Sequence, residues 1–319
     1  MASSHVVVCL GEALVDRLGP PGGDPAHDSP VDDRLGGAPA NVACGLARLG
    51  TPVAFAGRLG RDPIGHGFAD LFDRRGVDRS GLQWDGERPS RIVLVRRSND
   101  GERQFQGFEG DRGLGFADQA LTQVTVPAQA RWCLLGTLPL ASPVSAASMR
   151  LALDQARRQG MAIALDVNWR PTFWDATADP GAGPDQHAMA LIRPLLEQAA
   201  LIKLAREEAV WFFNTEDPAE IQRVLPLRPD VVVTDGAAPV RWCMDGASGV
   251  QPAFHPPEVV DTTGAGDAFT AGLLHRWPAS PAARVRFAAG CGALVCGGAG
   301  GIDPQPSEAQ VERFLGSVS

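Results

Sequence analysis

Short apolar segments rich in β-branched residues alternate with helical patterns along most of this chain, and this alternation constrains its fold most. The segments lack the period-two pattern of strands exposed on one face, which indicates strands covered on both faces. They lie at residues 6–10, 53–56, 92–95, 132–135, 161–165, 201–204 and 231–233. The helical patterns lie at residues 41–49, 65–75, 144–158, 186–198, 206–213 and 263–276. This order predicts an α/β fold with a doubly wound, mostly parallel sheet between helices, a three-layer αβα architecture.

Two regions interrupt the alternation. Residues 14–35 are rich in Pro, Gly and Asp, and residues 88–112 contain two strand patterns, at 91–97 and 103–108. The segment Ser98-Asn-Asp-Gly-Glu102 between those patterns is typical of a hairpin turn. From the residues alone, the two regions are either surface excursions or the strands of a second, smaller sheet.

Charge and cysteine usage narrow the classes of function. A net charge of −8 and a pI near 5.3 argue against nucleic acid as a partner. No segment approaches the roughly 18 apolar residues that a membrane span needs. The six cysteines are scattered without metal-binding spacing, so we expect reduced thiols in a cytoplasmic protein.

The segment Asp261-Thr-Thr-Gly264-Ala-Gly-Asp267 points to a reaction at an anion. Glycines at the start of a helix let backbone N–H groups point outward together, and the helix dipole adds positive potential there. Such a turn is an anion cradle, and Asp267 directly after it can accept a proton from a group that attacks the anion. The structural alternative is a glycine turn before a buried helix, in which Asp267 complements the dipole.

Lysine is almost absent from the chain. Of its 29 basic residues, 28 are arginine and one, Lys203, is lysine. One hypothesis is that a compact ammonium is needed here for function, so that replacing Lys203 would leave stability nearly unchanged. The alternative is chance, with Lys203 packed at the end of a strand.

Two further segments carry polar residues next to strands. Asn41 lies in the first turn of a helix after Gly36-Gly37, where a helix cap is the simple explanation. Asp166, Asn168 and Arg170 alternate after an apolar strand, and they would share one side if the chain stayed extended. At the carboxyl end of a parallel strand, that side faces the ligand crevice of such folds.

Together these motifs resemble the ribokinase/phosphofructokinase-B family of ATP-dependent sugar kinases, in the family's order and from about residue 6 to residue 306. The resemblance implies a ribokinase-like fold with a small β-sheet lid over the sugar. It divides the chain into an α/β domain of residues 1–13, 36–87 and 113–319 and a lid of residues 14–35 and 88–112. It also implies that exposed lid strands could pair in a homodimer.

The resemblance assigns roles to individual residues. Asp267 is the expected catalytic base, and the N–H groups of Gly264, Ala265 and Gly266 are expected to stabilise the transferring phosphoryl group. At an ordinary Asp pKa of about 3.9, Asp267 would be ionised at neutral pH. The residues expected to bind the sugar are Asp16, Gly37, Asn41, Asn168 and Arg170.

Nucleotide and metal contacts follow from the same resemblance. Lys203, Thr234 and Gly236 are expected to contact ATP. Glu208 is expected to hold Mg²⁺ through water, and Asp261 and Thr263 are expected to lie at a K⁺ site. The chain departs from the family pattern at Ala205, Pro239 and Ala289, which puts the metal shell, a nucleotide turn and an adenine contact in doubt.

The expected activity is ATP-dependent phosphorylation of a sugar primary hydroxyl, with D-fructose converted to fructose 6-phosphate. The segment from Asp166 to Trp174 is similar to the motif typical of fructokinases in this family. Glu109, however, stands where such relatives often carry an arginine. Another substrate, such as 2-keto-3-deoxygluconate, ribose or a nucleoside, is the first alternative. A non-catalytic sugar or nucleotide sensor is the second.

Overall fold

The computed structural model describes residues 7–97, 103–127 and 130–318. Within them, a nine-stranded sheet has the order β13-β12-β11-β10-β9-β8-β1-β4-β5, and a separate sheet has the order β3-β2-β6-β7. The large sheet comprises β1 (Val7–Leu10), β4 (Val53–Gly60), β5 (Asp78–Asp85), β8 (Trp132–Leu135), β9 (Ala162–Asp166), β10 (Leu201–Ala205), β11 (Asp230–Thr234), β12 (Val240–Met244) and β13 (Ala247–Gln251). The small sheet comprises β2 (Leu14–Leu18), β3 (Asp32–Gly36), β6 (Ile92–Arg97) and β7 (Arg103–Glu109).

Helices cover both faces of the large sheet. The α-helices are α1 (Ala38–Leu49), α2 (Pro63–Arg75), α3 (Pro143–Arg158), α4 (Pro171–Trp174), α5 (Gln186–Leu196), α6 (Arg206–Phe213), α7 (Pro218–Val224), α8 (Ala265–His275), α9 (Pro281–Val295) and α10 (Glu308–Ser317). Two 3₁₀-helices span Ala117–Ala120 and Leu138–Ala141. None of the helices in the described ranges is both long and apolar enough to cross a membrane.

Two apolar cores explain why the central strands are apolar on both faces. Val7 and Cys9 of β1 pack into a core formed with α1, α2, α8, α9 and α10. The alternate residues Val8 and Leu10 pack into a core formed with α3, α5, α6 and α7. Strands β5, β4, β1, β8, β9, β10 and β11 run parallel, whereas β12 and β13 are antiparallel at the edge. The predicted doubly wound αβα fold with a small second sheet is confirmed.

The chain reverses its direction of winding between β1 and β8. It first adds β4 and β5 on one side of β1 and then builds β8 to β11 on the other. In open α/β sheets, ligands bind outside the carboxyl ends of the strands at such a switch point. The small sheet begins next to this switch point, because its first strand, β2, directly follows β1 in the sequence.

The small sheet contains the predicted hairpin. β6 and β7 pair antiparallel, β2 and β3 pair antiparallel, and β2 joins β6 in parallel. The predicted turn at residues 98–102 lies outside the described residues. The division into two domains at the expected boundaries stays a prediction.

Candidate active site

A cavity of about 530 Å³ lies between the small sheet and the carboxyl ends of the central strands. The cavity is lined by the small sheet, the start of α1, the segment after β9, strand β10 and the start of α8. Its polar lining comprises Glu12, Asp16, Asn41, Asn168, Arg170, Thr172, Lys203, Thr262, Thr263 and Asp267, and its glycines are Gly37, Gly264 and Gly266. All of the residues expected at the sugar and the cradle therefore line one cavity.

Asp267 is half-buried in the first turn of α8 and accepts a hydrogen bond from the side chain of Asn41 (Nδ2 to Oδ2, 2.7 Å). Burial and the nearby Asp166 carboxylate raise the pKa of Asp267 to about 6, although Asn41, Lys203 and Arg170 oppose the rise. The expectation of an ordinary pKa for Asp267 is therefore wrong, because the carboxylate loses water and lies near a like charge. A carboxyl group with a pKa near 6 remains mostly ionised at neutral pH and accepts a proton more readily than a free aspartate.

The cradle before Asp267 depends on close backbone packing. Gly264 caps α8 in the left-handed region (φ 77°), and a Cβ there would lie 2.5 Å from the Cα of Gly301. The N–H of Ala265 donates to the carbonyl of Thr262 at 3.2 Å, which closes the turn before the helix. Ala265 is therefore the least available of the three expected anion donors.

Lys203 lies directly beside this cradle. It is 8% exposed, and its Nζ donates to Oδ1 of Asp166 at 3.0 Å. A Cβ on Gly266 would lie only 3.0 Å from that Nζ. Burial opposes the charge, but the carboxylates of Asp166, Glu208 and Asp267 outweigh it and raise the pKa of Lys203. The lysine thus has a buried partner and also adds positive charge at the cradle.

The three alternating polar residues after β9 do not share one side, as an extended chain would require. Asn168 adopts a left-handed conformation (φ 42°), which turns the chain. Asp166 is buried between Lys203 and the hydroxyl of Thr270 (3.0 Å), while Asn168 and Arg170 line the cavity. The expected common face is therefore wrong for Asp166, which instead supports Lys203.

Glu208 is buried at the start of α6, and both of its carboxylate oxygens hold backbone N–H groups. Oε1 accepts from Trp169 at 2.6 Å and Oε2 accepts from Ala205 at 2.7 Å. Burial raises the pKa of Glu208, although Lys203 and the two N–H donors oppose the rise. Glu208 therefore links the segment after β9 to the end of β10.

Asp261 fastens the loops on either side of the cradle. Its Oδ1 accepts from the backbone N–H (2.9 Å) and the hydroxyl (2.8 Å) of Thr263, and its Oδ2 accepts from the N–H of Gly300 (2.7 Å). These bonds are those of the alternative in which Asp261 caps the turn. A K⁺ site at Asp261 and Thr263 stays a prediction.

The residues expected at the nucleotide are spread more widely. Thr234 ends β11, where its hydroxyl donates to the carbonyl of Leu204 at 3.3 Å, and Gly236 follows with a left-handed φ of 51°. Neither lines the cavity. Pro239 lines a separate hollow with Arg206 and Asp235, beside the same end of β11. Nucleotide contacts by Thr234 and Gly236 stay predictions.

Glu12 is a cavity residue to which the sequence analysis assigned no role. It is 1% exposed, its Oε1 accepts from the N–H of Ala38 at 3.1 Å, and its Oε2 has no hydrogen-bond partner among the described residues. Burial, with help from Asp118 and Asp267, raises the pKa of Glu12 to about 8. Its position directly after a buried parallel strand is the signal that could have identified it.

Residues 4–308 match the model of the pfkB family carbohydrate kinases. This chain therefore belongs to the pfkB family of carbohydrate kinases, which are sugar phosphotransferases.

The relatives of this chain include proteins named fructokinase. The chain is 31% identical over 326 residues to probable fructokinase-6, chloroplastic, of Arabidopsis thaliana, covering 98% of this chain and 83% of the relative. It is 29% identical to fructokinase-1 of Oryza sativa subsp. japonica, covering 99% of both chains.

Solved structures agree with this assignment and with the expected ribokinase-like fold. The fructokinase of Xylella fastidiosa with bound ATP superposes with a TM-score of 0.83 at 28% identity, covering 98% of both chains. The fructokinase of Vibrio cholerae O395 bound to fructose, ADP and calcium ion superposes with a TM-score of 0.81 at 28% identity, covering 98% of this chain and 99% of that one.

Proposed function

We propose that this protein transfers the γ-phosphoryl group of ATP to the primary hydroxyl of D-fructose, giving fructose 6-phosphate. The observation that carries the proposal is Asp267 at the start of α8, beside the glycine cradle and in one cavity with Asp16 and Asn41. The relatives and solved structures named fructokinase favour fructose among the family's sugars.

In the proposed reaction, the sugar hydroxyl oxygen attacks the γ-phosphorus and the bond to the bridging oxygen of ADP breaks. The hydroxyl proton passes to Asp267. The N–H groups of Gly264 and Gly266 and the Lys203 ammonium stabilise charge on the transferring oxygens. Because phosphoryl transfer has a loose transition state, positioning of these groups matters more than the strength of the base.

Sugar binding is assigned to side chains on opposite walls of the cavity. Asp16 of the small sheet can accept from two adjacent hydroxyls, which would select strongly against analogues that lack them. Gly37 lets its backbone pack closely against that of Glu12, because a Cβ at Gly37 would lie 2.8 Å from the carbonyl oxygen of Glu12. Asn41, Asn168 and Arg170 complete the proposed contacts from the main domain.

The proposed Mg²⁺ contact at Glu208 fits only through water. Each Glu208 oxygen already accepts one N–H and keeps a lone pair for a water molecule, while Ala205 supplies no side-chain ligand. Held there through water, Mg²⁺ would supply positive charge that offsets the charge on the phosphate oxygens of bound ATP.

The experiment that tests the function is coupled ADP release across a panel of fructose, ribose, 2-keto-3-deoxygluconate and nucleosides. We expect the highest kcat/KM with fructose. A higher value for another panel member would replace fructose as the substrate. ATP consumption that no panel member stimulates would favour a sensor over a kinase.

The raised pKa of Asp267 predicts an acidic limb in the pH profile. The base acts when ionised, so kcat/KM should fall as pH decreases through about 6, approaching tenfold per pH unit below it. Asn41→Ala removes a hydrogen bond to the ionised carboxylate, so the limb should move to higher pH. A limb at the same pH in the variant would mean that Asn41 does not tune the base.

A second prediction concerns monovalent cations. The buried Asp261 carboxylate accepts hydrogen bonds from Thr263 and from the N–H of Gly300 and lies near the Arg34 guanidinium, and a K⁺ beside it would fix the cradle loop and add positive potential there. Replacing Na⁺ or Li⁺ with K⁺ at constant ionic strength should raise kcat by at least about twofold. Asp261→Asn should abolish the difference. Equal rates in all three salts would leave Asp261 as a cap alone.

A further inference from the structure

Arg91 is a buried arginine at the junction between the small sheet and the rest of the molecule. It precedes β6, and its carbonyl accepts from the N–H of Val15 in β2 at 3.0 Å. Its side chain is 4% exposed, and the guanidinium donates two hydrogen bonds to Asp118, at 3.0 and 3.1 Å. Asp118 belongs to the 3₁₀-helix Ala117–Ala120, outside the small sheet. This bidentate ion pair therefore links the small sheet to the 3₁₀-helix Ala117–Ala120.

Three aromatic rings surround the same guanidinium. The Cζ of Arg91 lies 4.8 Å from the ring centroid of Phe108, 4.5 Å from that of Phe116 and 4.9 Å from that of Phe173. Phe108 belongs to β7, Phe116 precedes the 3₁₀-helix, and Phe173 belongs to α4. Cation–π attraction therefore holds rings from three separate segments on one positive charge.

An irregularity in β7 brings two of its phenylalanines to the cavity side of the small sheet. Residues three apart in a regular strand face opposite sides. Here the pairing shifts by one residue, so that Phe105 lies opposite Val95 and Phe108 lies opposite Val93, and Val93 and Val95 both line the cavity. Gly107 has a φ of 128° within this bulge. The bulge therefore places both rings on one face.

The rings form a continuous wall from Arg91 to the sugar cavity. Phe105 and Phe173 line the cavity, and Phe108 contacts both, with centroid distances of 5.1 and 5.0 Å. Arg91 stands behind this wall and does not line the cavity.

We propose that Arg91 is a positioning residue that holds the wall of Phe105, Phe108 and Phe173 against the sugar and so sets sugar affinity. This proposal rests on the proposed function, since it takes the cavity to be the sugar site.

The test is the double variant Arg91→Met/Asp118→Asn, which removes the ion pair without leaving an unpaired buried charge. We expect the sugar KM to rise at least about tenfold and the ATP KM to change less than about twofold, because the wall loses the residue that fixes its position. Arg91→Lys retains the charge but not the planar guanidinium, so it should also raise the sugar KM. This variant tests the proposal if the double variant does not fold.

The matched control is Arg17→Met. Arg17 also makes two hydrogen bonds to one carboxylate, that of Asp33 (2.7 and 2.8 Å), and a third to Glu109 (2.9 Å). It neighbours Asp16 on β2 and so faces the opposite side of the sheet. Its sugar KM should stay within about twofold of the wild-type value. An unchanged sugar KM in the Arg91 variants, or an equal rise in Arg17→Met, would overturn the proposal.

A second measurement separates this proposal from the proposed function. Hydrogen exchange at the β7 amides, followed without substrate, should be faster in the double variant than in wild type and in Arg17→Met. If wild type phosphorylates no sugar of the panel, the proposed function fails and exchange alone decides the role of Arg91. Unchanged exchange would then show that Arg91 does not hold the wall.

Discussion

Asp267→Asn is expected to lower kcat with fructose by about two to four orders of magnitude, the usual range for the loss of a general base. The amide cannot accept the hydroxyl proton, whereas it can still lie next to Asn41 at the start of α8. The cradle glycines and Lys203 are unchanged, so the ATP dissociation constant should stay within about threefold. Single-turnover phosphoryl transfer and calorimetric ATP binding measure the two quantities.

The control for this variant is thermal unfolding. Asp267 carries a raised pKa, so a neutral amide at that position should not lower stability. A kcat reduced less than tenfold in a well-folded variant would mean that another group takes the proton. Glu12 is the first candidate to examine, because its buried carboxyl lines the same cavity.

Lys203→Met is expected to lower the free energy of unfolding by about 3–5 kcal/mol, because it leaves the buried Asp166 carboxylate without its charged partner. The sequence suggested little effect on stability. That expectation changes because Lys203 and Asp166 are both buried and lie 3.0 Å apart. Urea unfolding measures the loss, and the ATP KM should rise in the same variant because positive charge disappears beside Gly266.

Arg193→Met provides the comparison for an exposed pair. Arg193 lies 2.9 Å from Glu197, with 73% of its side chain exposed, and its loss should cost less than about 1 kcal/mol. Similar losses in the two variants would contradict the account of Lys203 as a buried partner. A stable Lys203→Met variant with a raised ATP KM would instead restore the original hypothesis.

The sequence allowed the fold class and most of the polar residues of the cavity lining to be predicted, because both rest on local patterns. Uninterrupted apolar runs identified the central strands, and Gly264 to Asp267 identified the start of α8. Strands β5, β12 and β13 were not predicted: β5 and β13 lie at the sheet edges and are only partly buried, and the exposed Arg241 interrupts the apolar residues of β12.

The features that could not be predicted from the sequence depend on contacts between distant residues or on irregular backbone conformations. The left-handed Asn168 breaks the period-two argument that grouped Asp166 with Arg170. The bulge at Gly107 reverses the side on which Phe108 would otherwise lie. The pKa of Asp267 depends on burial and on Asp166, which is 101 positions away in the chain but adjacent in the fold.

The hydrogen bond from Asn41 to Asp267 joins residues 226 positions apart, and Gln305 ties the carbonyl of Asn41 to the chain 264 positions later. During synthesis, the first strands, the small sheet and α1 emerge long before α8 exists. A nascent chain can therefore assemble the sugar-facing wall early, but its base has no position until the last segments fold back onto α1. We therefore expect the cavity to be complete only after α8 and the segment around Gln305 have packed against α1.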